Sequence, residues 1–194
     1  GMGLVAGDYE DLIAAREGHH DCLNLLLDAG ADLAASDGEG YTPLMAAAAN
    51  GNLRCLKRLL DVGAPLEARS GTGGTALAVG AWAGQYAALD ELLLANADPD
   101  TADRHGYTPL MMAAYRDAAC VRRLLVAGAD PEARTVDGET ALMIAAWAGN
   151  IAAIEQLADA DVDLEARDGV APAERLGESR LRHALEAENG FLPA

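Results

Sequence analysis

Tyr41-Thr42-Pro43-Leu44-Met45-Ala46-Ala47-Ala48-Ala49-Asn50-Gly51 is a passage that the chain rewrites three more times. Its threonine returns as Thr75, Thr108 and Thr140, at steps of 33, 33 and 32 residues, each time followed by an apolar pair and an Ala-rich run. A turn residue closes each run, Gly51, Gly84, Asp117 or Gly149, and a Leu-rich segment follows. A fixed period in the range of about 20 to 50 residues is the signature of a solenoid, in which each unit buries its apolar face against its neighbours. The period therefore predicts one elongated all-α array across the 194 residues rather than two globular domains.

Each part of the passage has a local physical reading. Threonine before proline is a helix start, because the hydroxyl accepts from free amides and proline at the first helical position has no amide to satisfy. The alanine run keeps the first helix slim enough for units to stack closely. Gly51, Gly84 and Gly149 permit the tight turn into a second helix, whose buried stripe is supplied by Leu59-Leu60, Leu92-Leu93 and Leu124-Leu125. The fourth unit loses one residue between its helices, around Asp117.

Aligned at this period, the openings read Thr42-Pro43-Leu44-Met45, Thr75-Ala76-Leu77-Ala78, Thr108-Pro109-Leu110-Met111 and Thr140-Ala141-Leu142-Met143. The closings read Gly30-Ala31-Asp32, Gly63-Ala64-Pro65, Asn96-Ala97-Asp98, Gly128-Ala129-Asp130 and Asp161-Val162-Asp163. Nearly the whole chain thus resembles the ankyrin-repeat family, whose unit is a hairpin loop followed by two antiparallel helices. The resemblance implies an ankyrin solenoid of about six units: 1–37 as an N-terminal cap, then 38–70, 71–103, 104–135, 136–167, and 168–194 as a C-terminal cap. Polar Tyr9-Glu10-Asp11 in place of the usual opening marks unit one as a cap whose outer face meets water. Gly1 before Met2 reads as a tag remnant, and Leu4-Val5-Ala6-Gly7-Asp8 resembles the tail of a preceding unit. One departure matters: the family's opening His is Met45, Ala78, Met111 and Met143 here, so the stack is expected to depend more on apolar contact. With its uneven steps, the chain reads as a natural, divergent member.

Composition narrows the function. Asp plus Glu number 31 against 14 Lys plus Arg, a formal charge of −17, which repels nucleic-acid backbones and anionic membranes and steers basic partners inward. The same acidity also serves plain solubility. No run approaches the 18 or so apolar residues of a membrane span, and no signal peptide is evident, so a soluble, monomeric, cytoplasmic protein is expected. Cys22, Cys55 and Cys120 take equivalent positions in different units. Such positions lie about one helix-packing distance apart, roughly 8 to 10 Å, too far for a disulfide, so all three are expected to be reduced thiols facing the core.

No catalytic constellation is legible. His19, His20, His105 and His183 are scattered, and no zinc spacing or nucleophile elbow occurs. The pair His19-His20 with Asp21 reads as a surface helix start. Gly71-Thr72-Gly73-Gly74 lacks the Gly-Lys-Ser/Thr of a phosphate loop and reads as a flexible fingertip. With Gly80 inside the following helix, unit three is the expected site of local opening. No enzyme activity, cofactor or metal is expected.

The resemblance implies partner binding on a concave face, by hairpin tips and by the exposed end of each first helix. The residues there are Arg16-Glu17, Ala49-Asn50, Trp82-Ala83, Tyr115-Arg116 and Trp147-Ala148. Both tryptophans fall at one site with Tyr115 between them, and Tyr41 and Tyr107 take equivalent tips, so five of the eight aromatics would face one groove. The expected partner-binding set is Trp82, Tyr115 and Trp147 as anchors, with Tyr41, Tyr107, His105, Arg116, Asn50 and Glu39 around them. Recognition and packing that stiffens the stack both remain open for the tryptophans. A second column, Glu67, Asp100, Glu132 and Glu165, reads either as a negative ladder for a basic segment or as turn hydrogen bonding. The leading expectation is a non-enzymatic protein-interaction module or scaffold, with an acidic inhibitor of a basic enzyme and a structural spacer as alternatives.

Overall fold

The structure, a computed structural model, describes residues 10–167, and side chains through residue 160. The expected tail 1–9 and cap 168–194, His183 included, lie outside the described residues. The chain is built as helix pairs: α1 (Glu10–Glu17) and α2 (His20–Asp28), α3 (Pro43–Asn50) and α4 (Leu53–Asp61), α5 (Ala76–Trp82) and α6 (Tyr86–Leu94), α7 (Pro109–Arg116) and α8 (Ala118–Val126), α9 (Ala141–Trp147) and α10 (Ile151–Arg167). There are no strands among the described residues.

The first helices begin where the threonines predict. Thr42, Thr75, Thr108 and Thr140 each accept the amide three residues on, from Met45, Ala78, Met111 and Met143, at 3.4 Å, with Pro43 and Pro109 at the first turn. In α3, Leu44 through Ala48 are all buried, because the helix is covered on both sides. The first helices pack in sequence, α1 on α3 on α5 on α7 on α9, and form one layer. The second helices form the other layer and bury one stripe each: Cys55, Leu56 and Leu59 in α4, Ala88, Leu89 and Leu92 in α6, Cys120, Val121 and Leu124 in α8. The spacing i, i+1, i+4 puts each trio on one helix face. Where the opening His is missing, Met45, Ala78 and Met111 are enclosed and fill the space with apolar atoms, whereas Met143 is 48% exposed.

The loops between pairs are hairpins, each closed by a backbone bond across five residues: Asp37 N–H to Tyr41, Ser70 to Gly74, Asp103 to Tyr107 and Thr135 to Glu139, at 2.9 to 3.1 Å. The residue that begins each hairpin also accepts an amide on its side chain, Asp37 from Tyr41, Ser70 from Gly74, Asp103 from Tyr107 and Thr135 from Glu139. Successive hairpins are then joined to one another. Gly71 N–H donates to the Glu39 carbonyl at 2.6 Å, Arg104 to Thr72 at 3.1 Å and Val136 to His105 at 2.9 Å. This approach needs glycine at Gly40, where φ is 76° and a Cβ would lie 2.7 Å from the Gly71 nitrogen.

The acidic column takes part in the same joining. Glu67 Oε1 accepts the amide of Asp98 at 3.0 Å, and Asp100 Oδ1 that of Asp130 at 2.8 Å, each from the following unit. Glu165 lies within a helix rather than in a hairpin. The sequence places a closing turn at Asp161-Val162-Asp163, yet α10 runs on to Arg167. Gly63, Asn96 and Gly128 take the chain out of α4, α6 and α8 at φ of 84°, 66° and 93°. Asp161 stands in their place without glycine's freedom at positive φ, so nothing stops the helix there.

Two further expectations are corrected. Cys55 and Cys120 are buried, but Cys22 is exposed. Cys55 Sγ packs back onto the Ala14 carbonyl of the preceding unit, whereas Cys22 belongs to the first described pair and meets no such wall among the described residues. Asp11, read as part of a water-facing cap, is only 5% exposed. It occupies the position of Leu44, Leu77 and Leu110; burial holds its carboxyl above the usual carboxylate range, and Oδ2 has no hydrogen-bond partner among the described residues.

Candidate functional site

Position seven after each capping threonine lies in the last turn of the first helix, and there Trp82, Tyr115 and Trp147 meet. The Trp82 and Tyr115 rings stack at 5.4 Å between centroids and 15° between planes, and Tyr115 and Trp147 at 5.8 Å and 29°. Three consecutive units thus contribute one ring each to a continuous column. Trp82 is 44% exposed, Tyr115 37% and Trp147 73%. The Arg116 guanidinium lies 5.3 Å from the Trp82 ring centroid, a cation–π contact at one end of the column.

One helical turn earlier, positions three and four after the threonine point the same way. Ala78, Val79, Met111, Met112 and Ile144 form an apolar floor beneath the rings. The hairpin tips supply the opposite wall, with Tyr41, His105, Tyr107 and Glu139. Together they bound a groove of about 680 Å³. Tyr107 Oη donates to Glu139 Oε2 across 3.3 Å, from one unit to the next. Burial pushes the Tyr107 phenol above its ordinary value, and Glu139 adds to the shift; Tyr41 is raised by burial with Glu39 and Asp37 beside it. Both phenols therefore keep their protons near neutral pH and remain donors.

Of the residues singled out in the sequence, Trp82, Tyr115, Trp147, Tyr41, Tyr107 and His105 come together in this groove, and Arg116 caps one end of its ring column. Asn50 and Glu39 are not among its lining residues. The Asn50 amide donates to the Ala46 carbonyl of its own helix, and the Glu39 carbonyl is taken by Gly71. Sequence reading missed Glu139, although it stands in the same column as Tyr41 and Tyr107, immediately before a capping threonine. It also missed Asn52 and Asn150, whose amides reach back to Ala15, Arg16 and Ala114 carbonyls at the ends of the preceding first helices. His20, read as a surface helix start, shares a hydrogen bond with Asn24. No group of three or more His, Cys, Asp or Glu among the described residues is placed to hold a metal.

The hairpin and paired-helix unit has its counterpart among known families. The family model described as ankyrin repeats (3 copies) matches the chain over residues 12–103 and again over 77–168. The chain belongs to the ankyrin-repeat family. No curated protein matches it significantly. Ankyrin repeats generally mediate protein–protein interaction, and the family is typically non-enzymatic. No helix among the described residues is long and apolar enough to cross a membrane. Within this ankyrin array the groove brings together exposed aromatic side chains from three successive repeats.

Proposed function

We propose that this ankyrin-repeat chain is a non-enzymatic interaction module that binds a partner protein in the aromatic groove, on the concave face of the array. The observation that carries the reading is the column of three half-exposed rings, one from each of three successive repeats, above an apolar floor. Contiguous exposed apolar surface on a soluble protein marks interaction sites, and Trp, Tyr and Arg dominate binding hot spots. Trp82, Tyr115 and Trp147 serve as anchors, with Tyr41, Tyr107, His105 and Arg116 at the edge. The net charge of −17 speeds encounter with a basic partner without fixing what is recognised.

The same charge supports a second reading, an acidic inhibitor that neutralises a basic enzyme through its surface at large. The two differ in salt dependence and in sensitivity to the rings. The test is affinity capture from the native host's lysate with wild type and with the Trp82→Ala, Tyr115→Ala, Trp147→Ala variant, followed by titration of the purified partner. Loss of about 2 kcal/mol or more per anchor supports the groove. A partner that binds a folded triple variant unchanged, and releases with added salt, moves the interface to the acidic surface. Absence of any partner for either protein favours a spacer.

A further inference from the structure

The charges that line the groove are not symmetric. Among the described residues no Arg or Lys lines it; its charged groups there are Asp103 and Glu139, with His105 beside them. Asp103 is committed to the fold, since its Oδ1 accepts the amides of His105 at 2.8 Å and Tyr107 at 2.9 Å. Glu139 is placed differently. Its backbone is fixed on both sides, the amide on Thr135 Oγ1 at 3.1 Å and the carbonyl on Thr135 N–H at 2.9 Å. Its carboxylate is oriented by the Tyr107 phenol of the preceding repeat and forms no ion pair among the described residues. Arg134, in the same hairpin, spends its guanidinium on the Gly138 carbonyl at 3.0 Å. Glu139 is thus a pre-positioned carboxylate at the edge of an apolar floor, half-buried and unneutralised.

The groove is long. The lining runs from Tyr41 to Trp147, across four successive repeats. At roughly 8 to 10 Å per packed helix that is about 27 Å, which an extended chain covers in about eight residues.

We propose that the groove takes a chain segment of a partner protein and that Glu139, oriented by Tyr107, pairs with one basic side chain of that segment, arginine in preference to lysine. This rests on the groove being the binding face. Flanking apolar side chains of the segment lie on Val79 and Met112, which are half-buried. Arginine is favoured because its planar guanidinium engages a carboxylate in two places and lies flat on an aromatic ring, and Trp147, stacked on one side by Tyr115, is still 73% exposed.

The test is selection of random decapeptides from a display library on wild-type protein, followed by titration of the selected peptides. Enriched peptides are expected to share an arginine beside apolar residues. Glu139→Gln is expected to weaken them at least tenfold, and replacing the peptide arginine by glutamine to weaken them equally. The two losses should not add when combined, as a direct pair requires. Tyr107→Phe, which leaves the ring but removes the orienting hydroxyl, is expected to cost about threefold for arginine-bearing peptides and nothing for their glutamine versions. Peptides without a basic residue that bind wild type but not the folded triple ring variant overturn the Glu139 pairing and leave the groove intact. A Glu139→Gln affinity within twofold of wild type has the same meaning. Peptides that bind the triple ring variant unchanged overturn the groove itself, and so does the absence of any enrichment over that variant.

Discussion

Removing the middle ring of the Trp82–Tyr115–Trp147 column should hurt the fold more than removing the larger but terminal Trp147. Tyr115 is 37% exposed, so of the roughly 200 Å² an aromatic side chain carries about 125 Å² is covered. At about 25 cal/mol per Å² that burial is worth ~3 kcal/mol, an upper figure because the unfolded chain is itself partly collapsed. Two stacking contacts add about 0.5 to 1.5 kcal/mol each. Tyr115→Ala is therefore expected to cost about 3 to 6 kcal/mol. Trp147 is 73% exposed and has one stacking neighbour, which gives about 2 kcal/mol for Trp147→Ala. Urea denaturation followed by far-UV circular dichroism measures both as shifts in midpoint at constant slope. Tyr115→Phe keeps both stacks and should stay within about 0.5 kcal/mol of wild type. A double-mutant cycle between Trp82 and Tyr115 should return a coupling of about 1 kcal/mol. If Trp147→Ala proves as costly as Tyr115→Ala, or the coupling falls below about 0.3 kcal/mol, the rings do not form a column centred on the tyrosine.

Three further outcomes follow from the fold. Asp11→Leu should stabilise the fold by about 1 to 3 kcal/mol, read as a higher urea midpoint, because it replaces a buried, half-partnered carboxylate with the residue its column otherwise carries; a loss of stability would mean the carboxylate is satisfied. Only Cys22 should react with a thiol reagent in the folded protein, with Cys55 and Cys120 following on unfolding. Burial pushes the Cys120 thiol up to about 12, so the folded state keeps a proton that the unfolded chain releases near its ordinary value of 9.0. Stability should therefore fall as pH rises from about 9 towards 12, with a shallower slope in Cys120→Ala; an unchanged slope would remove the thiol from the account. Thr108→Ala deletes a buried helix cap and should cost about 1 kcal/mol by the same denaturation assay, with a neutral result showing that Pro109 alone starts the helix.

Much of this architecture is legible because its devices are local and recur. Threonine caps, alanine runs and glycine turns act within a few residues, so the period exposes them directly. The ring column was legible for the same reason, as Trp82, Tyr115 and Trp147 share one count from the threonine. What was hidden depends on neighbours. Cys22 has the sequence position of a core thiol but meets no preceding wall among the described residues. Asp11 looks like a solvated cap residue until α1 packs on α3. Glu139 becomes informative only when Tyr107 of the previous unit reaches it, a contact that no pattern within one unit predicts. The run of α10 through Asp161 reflects a missing stop rather than a present signal, and missing stops are harder to read than motifs.

Asp117 carries a last consequence. It ends α7 and caps α8 at once, with φ of −143° and its Oδ1 on the Ala119 amide at 2.7 Å, where the third unit uses Ala83, Gly84 and Gln85. The lost residue lies downstream of Tyr115, so the ring is still seven positions from Thr108 and still meets its neighbours. The threonine acts as the start of a reading frame, and the rings and the apolar floor are counted from it before the turn is reached. Length changes placed after that count leave the rings and floor in register, and those placed within it are frameshifts. A lineage or an engineer can therefore shorten or extend the back of any unit without rewriting what its front displays.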